Sequence, residues 1–132
     1  MSEDLDRRVK EALERTDIMA LSTIGSHGPW TAPVQFQYNE ALELFFLSMP
    51  DARHVQNILS DPRVSVAIYS YPGPAGGNLG LQISGTAEHL AGEVSADGWQ
   101  RFRIIPREVW CFDSRVFGRE RRQVSVPGST GK

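Results

Sequence analysis

The apolar residues of this chain change period several times, and each change marks a predicted element. Leu5, Val9, Ala12 and Leu13 recur at helical spacing, with acids and bases between them and Ser2 as the candidate N-cap. Residues 3–15 therefore predict an amphipathic helix. From Ile18 the spacing shortens. Residues 18–24 form a short apolar run that stops at Gly25-Ser26-His27-Gly28-Pro29, which predicts a strand and a turn. Residues 30–38 alternate, with Ala32, Val34, Phe36 and Tyr38 on one face and Pro33, Gln35 and Gln37 on the other. Asn39-Glu40 marks a second turn and residues 42–48 a third strand, which makes an antiparallel meander with short loops.

Met49-Pro50-Asp51 then opens a short helix, with Asp51 as N-cap and Val55, Ile58 and Leu59 as its apolar face, and Asp61-Pro62 stops it. Residues 63–69 alternate as a fourth strand, and 71–77 are a loop by composition. A fifth strand runs over 79–90, where Gly80 and Gly85 allow bends or close backbone approach. Residues 91–98 read as a connection, and a sixth strand lies within 102–112, broken by Pro106. There is no internal repeat. Six short strands, few helices and dense turns predict a mainly β fold, a small six-stranded antiparallel barrel, because an open sheet of this size would leave two edges to protect. Residues 1–126 read as one domain and 127–132 as a disordered tail.

Composition changes this picture little. At 132 residues, 40% apolar and 23% charged, the chain can build one hydrophobic core but not two. No apolar run approaches the length a bilayer needs, and the acidic start lacks the pattern of a secretory signal. The single cysteine cannot form an intrachain disulfide, which together with the start points to the cytoplasm. Cys111, inside Val109-Trp110-Cys111-Phe112, reads as a small core residue rather than a nucleophile.

Charge is distributed unevenly. Residues 101–132 carry seven Arg and Lys132 against Glu108, Asp113 and Glu120, a net +5 within a chain whose total is −2. Such a stretch suits a phosphate-bearing ligand, nucleic acid or the acidic surface of a second copy, unless it is simply a solvated strand end. Nucleic acid ranks lowest, because the pI is only 5.9 and the interleaving of Arg with aromatics is confined to Arg101-Phe102-Arg103.

Several chemistries are excluded by absence. His27, His54 and His89 are far apart and one cysteine makes no cluster, so no metal-ligand spacing exists. Neither a nucleophile elbow nor a dinucleotide-binding glycine motif is present, and Gly76-Gly77-Asn78-Leu79-Gly80 leads into a strand rather than a helix. The most informative piece is Ser48-Met49-Pro50-Asp51-Ala52-Arg53-His54-Val55-Gln56-Asn57-Ile58, where a strand ends at Ser48 and two cations open a helix. Cations at a helix N-terminus oppose the helix dipole. A bound anion would reverse this, since first-turn N–H groups, the dipole, a hydroxyl and Arg53 would all face it. The alternative is a solvated Arg53 and a His54 packed on the barrel.

From Leu42 to Leu90 the chain resembles the FMN-binding split-barrel family typified by pyridoxamine 5′-phosphate oxidases, especially short members of unassigned substrate. The resemblance is carried by Leu44-Phe45-Phe46-Leu47-Ser48, Arg53-His54-Val55-Gln56-Asn57-Ile58, Asp61-Pro62-Arg63-Val64-Ser65-Val66-Ala67-Ile68-Tyr69 and Gly80-Leu81-Gln82-Ile83-Ser84-Gly85-Thr86-Ala87. It implies FMN as cofactor, with a phosphate grip at Arg53 and His54 next to Leu47 and Ser48. It implies isoalloxazine contacts from the backbone around Pro33, Val34 and Gln35 and from Gln82. Trp110 would stand near the flavin of the partner subunit, with Arg119 or Arg121 beyond it. A homodimer with flavin at the subunit interface follows from the same resemblance.

The chain also departs from the family. The Ser of the phosphate element is Ala52, and the places of two basic residues of true oxidases hold Ala32 and Gln37. The C-terminal Arg-x-His that would grip a substrate phosphate is absent around Arg115-Val116-Phe117-Gly118-Arg119. The reading is therefore an FMN-dependent oxidoreductase of an unknown small molecule, without pyridoxamine-phosphate oxidation as its first candidate and with no catalytic residue assigned. Alternatives are a deazaflavin-dependent reductase, a haem-binding barrel using His27 or His89, and a non-catalytic flavin-binding dimer.

Overall fold

The computed structural model describes residues 3–72, 76–94 and 97–127. Ser2, the centre of the 71–77 loop, part of the 91–98 connection and nearly all of the expected tail lie outside these residues. Among the described residues two helices, α1 (Glu3–Glu14) and α2 (Arg53–Ser60), accompany eight strands. These are β1 (Ile18–Gly25), β2 (Gly28–Gln35), β3 (Gln37–Tyr38), β4 (Leu44–Ser48), β5 (Arg63–Ser70), β6 (Leu79–Val94), β7 (Gln100–Asp113) and β8 (Arg121–Val124).

All pairings are antiparallel, in the order β2-β1-β5-β6-β7-β4-β3. The two ends of this path, β2 and β3, are separated in the chain by Phe36 alone. The path therefore closes on itself, and β2 with β3 acts as one strand that changes neighbours at Phe36. That residue is buried, and its N–H donates to the Asp17 carbonyl at 2.9 Å. Counted this way, the barrel has the six strands expected. β8 is an addition. The 14-residue β7 pairs with the 5-residue β4 only along its first half, so the edge of its second half would stay open without β8.

Other differences from expectation are local. β4 begins at Leu44 rather than residue 42, because Leu42 (φ 62°) lies in a turn organised by Asn39, whose Oδ1 accepts from the Ala41 and Glu43 N–H groups at 3.0 Å each. Ala52, not Asp51, is the N-cap of α2, and no side chain caps it. Leu59 is exposed, so α2 buries only Val55 and Ile58. Tyr38 is exposed beyond the core face that Val34 and Phe36 share. β6 continues to Val94, through half of the expected connection. Pro106 does not break β7. It sits at a register shift opposite Gly85, where a Cβ would run into the Ile105 carbonyl oxygen, and this bulge absorbs the missing N–H.

The core fills the barrel with the inward residues of each strand, among them Met19, Leu21, Ile68, Leu81, Phe102, Ile104 and Val109. Cys111 is fully buried among them and its thiol is pushed up to about 11, by burial first and then by the neighbouring Asp113, as a core residue rather than a nucleophile requires. The helices cover opposite ends of the barrel. α1 is tied to the end of β7, where Arg8 meets Asp113, and α2 to the end of β1, where Asn57 donates to Thr23. Among the described residues no helix is long and apolar enough to cross a membrane.

Candidate functional site

Two groups of polar side chains stand out, and both contain residues expected from the sequence. The first lies at the start of α2. Ser48 ends β4 with its side chain inward and is nearly fully buried, and its Oγ is 2.7 Å from Nε2 of His54. The His54 ring, half-buried, also tilts against Phe46 with centroids 6.1 Å apart. Burial lowers the His54 pKa below its ordinary value of 6.5, so the ring is neutral near pH 7 in this state. Next to it, the exposed Arg53 places its guanidinium 3.9 Å from the centroid of the Trp30 ring. With no capping side chain at Ala52, the first N–H groups of α2 keep their donor capacity. Leu47 precedes Ser48 in the strand, so its side chain points outward and is exposed. Only its backbone shares the site.

The second group lies on the outside of the barrel. Register places Pro33, Ala20, Ala67, Gln82, Trp110 and Gln123 in one continuous row across five strand pairings. A parallel row holds Thr31, Ser22, Ser65, Ser84 and Glu108. The intervening Leu21, Val66, Ile83 and Val109 point inward and are buried, so both rows face outward. Most of these outward side chains are small, which leaves a low surface between Pro33 at one side and Trp110 at the other. Gln35 is exposed beside this face, whereas the Val34 side chain is in the core and can contribute only its backbone. Arg121 reaches back from β8 and donates through Nε to Gln82 Oε1, and Trp110 Nε1 donates to Glu108 at 2.6 Å. Gln82, Trp110, Arg119, Glu120 and Arg121 line a shallow hollow of about 590 Å³.

The larger depression on the surface, about 960 Å³, holds none of the expected residues. It lies between the end of α1 and strands β3, β4 and β7, with Asp17, Tyr38, Phe45 and Arg101 in its lining. Its charges are mixed in sign, so shape alone distinguishes it. The chemistry is concentrated at the other two places.

The sequence profile of the pyridoxamine 5′-phosphate oxidase family matches residues 5–123. The chain belongs to this family. Membership of the oxidase family makes the fold a flavin-binding type of split barrel. Solved structures that share the fold include an FAD-binding protein from Mesorhizobium loti (20% identity, TM-score 0.67, covering 82% of this chain and 90% of that one). General Stress Protein 26 from Bacillus anthracis matches at 13% identity and TM-score 0.70, over 91% of this chain and 98% of that one. A haem storage protein from Vibrio cholerae matches at 18% identity and TM-score 0.66, over 81% and 92%. No curated protein matches the chain.

The residues present fit a phosphorylated flavin. An uncapped helix start, an arginine on an aromatic face and a buried Ser–His pair together make a donor-rich cradle for a phosphate. The low outer face can lie against a planar ring. The contacts of Trp30, Thr23 and Asn57 are not marked in the sequence, because they join residues 7 and 34 positions apart in the chain. An aromatic directly after the Gly28-Pro29 turn was the one available signal.

Proposed function

We propose that the protein binds FMN as a homodimer and serves as a flavin-dependent oxidoreductase for a small molecule other than pyridoxamine phosphate. The observation that carries this reading is the joint placement of Arg53, His54 and Ser48 at the uncapped start of α2. Arg53 supplies N–H donors to the phosphate, the first-turn N–H groups of α2 add theirs, and Ser48 offers its hydroxyl. The backbone around Pro33, Val34 and Gln35 hydrogen-bonds the ring edge. Trp110 and Arg121, on the basic C-terminal part of the chain, approach the ring from the second copy. Bound FMN supplies the electron or hydride transfer, while the protein supplies binding, orientation and electrostatics.

His54 gives this cradle a proton linkage. When its ring takes up a proton, Nε2–H donates to Ser48 Oγ and the Ser48 hydroxyl becomes free to donate to the phosphate. A bound dianion favours that form, so its presence raises the His54 pKa from a ligand-free value below 6.5. FMN affinity is thus expected to rise as pH falls through the ligand-bound pKa and to level off below the ligand-free one. Titrations of FMN fluorescence between about pH 8 and 6 read this as the difference between the wild-type and His54→Gln profiles, since the FMN phosphate itself titrates near pH 6. A profile that is the same in His54→Gln rules out the linkage.

The reading itself is tested by the absorbance of the protein as purified and by FMN titration. One FMN per chain is expected, and Arg53→Met should weaken binding by about ten- to a hundredfold, the worth of a charge-assisted hydrogen bond. Unchanged FMN affinity in Arg53→Met, a protein that takes up haem and no FMN, or a monomer in sedimentation would each count against it.

A further inference from the structure

Arg53 rests on an aromatic ring, as Arg101 does on Phe45 and Arg122 on Phe117. Arg7, Arg8, Arg63, Arg103, Arg115 and Arg122 each pair with a carboxylate. Among the described residues no carboxylate pairs with Arg53. Its partner is the face of Trp30, 3.9 Å from the ring centroid. A guanidinium stacked on a ring keeps its N–H donors free at its edge, whereas a carboxylate partner would occupy them.

Trp30 is also joined to α2 through its backbone. Asn57 Nδ2 donates to Thr23 Oγ1 at 3.0 Å, and Thr23 Oγ1 donates to the Trp30 carbonyl at 3.4 Å. Thr23 is only 1% exposed, so this relay is shielded from water. The Asn57 amide lies where a Cβ of Gly25 would stand, which lets α2 approach β1 closely. Arg53 and Asn57 are four residues apart and share a helix face, so the Trp30 position holds α2 at two points one turn apart.

We propose that Trp30 is a positioning residue that holds the Arg53 guanidinium ready for a terminal phosphate and so sets the preference of the site for a phosphorylated over a phosphate-free flavin. The inference rests on the flavin-phosphate reading above. An unsupported arginine would lose its rotamer freedom on binding the anion. Stacking on Trp30 removes that loss beforehand, and the gain goes to ligands that carry the phosphate.

The experiment is a set of FMN and riboflavin dissociation constants, by fluorescence, for the wild type, Trp30→Leu, Trp30→Phe, Arg53→Met and the Trp30→Leu/Arg53→Met double variant. Trp30→Leu should weaken FMN binding about three- to tenfold and leave riboflavin unchanged. Trp30→Phe, which keeps a ring face, should stay within about twofold of wild type for FMN. In the Arg53→Met background Trp30→Leu should have no further effect. The proposal is overturned if Trp30→Leu weakens both flavins equally, or weakens FMN as much without Arg53 as with it. Should Trp30→Leu fail to fold, a loss of FMN preference in the folded Trp30→Phe overturns it equally well. A wild type that binds FMN no better than riboflavin overturns the phosphate reading instead, before Trp30 is at issue.

Discussion

Asp113→Ala is expected to lower the unfolding free energy by about 3 kcal/mol, the low end of the cost of breaking a buried ion pair. The carboxylate is fully buried at the end of β7 and receives four hydrogen bonds. Arg115 donates through Nε at 3.0 Å, through a terminal nitrogen at 2.8 Å and through its backbone N–H at 3.1 Å, while Arg8 reaches it from α1 at 3.2 Å. Removing the carboxylate leaves Arg8 with Asp4 at 3.3 Å and Arg115 with the more distant Glu11 at 3.8 Å, and releases the Arg8–Asp113 pair that ties α1 to the end of β7. The low end of the range applies because the Arg8 and Arg115 side chains are 20% and 25% exposed and can recover some hydration. The Arg115 hydrogen bond, first, and the nearby arginines hold the Asp113 pKa below its ordinary value of 3.8. This stabilisation is therefore complete at neutral pH and is lost as pH falls below that ordinary value through the folded-state pKa. Urea unfolding at one protein concentration, at pH 7 and again near the acid limit, checks both parts. Asp113→Asn should flatten the acid dependence. A loss under about 1 kcal/mol for Asp113→Ala would show that the arginines find other partners.

Phe102→Ala should cost more, about 3–5 kcal/mol, as a large aromatic removed from a filled core. Phe102 is fully buried in β7 and stacks on Phe46 with ring centroids 5.1 Å apart and planes 13° apart. His89 tilts against its other side at 5.2 Å. Phe46 in turn meets His54 at 6.1 Å, so the row Phe102–Phe46–His54–Ser48 runs from the core to the start of α2. Relaxation of Phe46 into the vacated space would move the support of His54. The variant is accordingly expected to lose FMN affinity as well as stability, measured on the fraction still folded. Stability lost with FMN affinity unchanged would mean that α2 holds His54 without help from Phe46.

Much of the fold was legible because burial imposes period 2 on a strand and period 3.6 on a helix. α1, β1, β5 and the placement of α2 after Ser48 all follow from that. What escaped the pattern has particular causes. Arg121-Arg122-Gln123-Val124 has no alternation of its own, and it becomes a strand because β7 outruns β4 and leaves an edge to cover. Pro106 looked like a stop, yet a bulge opposite Gly85 accommodates it. The break at Phe36 is invisible in sequence, since residues on both sides alternate smoothly. It appears only because the same segment pairs with β1 before Phe36 and β4 after it.

The site divides along the same line. Ser48, Arg53 and His54 were readable because they lie within one strand–helix junction, and short-range spacing already brings them together. His54 finds its partner Ser48 within that junction, whereas the partner of Arg53 lies in another strand. That Arg53 rests on Trp30, and that Pro33, Gln82 and Trp110 share one outward row, are consequences of register between strands far apart in the chain. The six main strands, both helices and the basic start of α2 are written in the chain alone, because local periodicity and helix-end chemistry need only neighbouring residues. Closure at Phe36, the β8 edge and the Trp30 support of Arg53 were decided by tertiary structure, because each depends on which surfaces remain unpaired once the strands have packed.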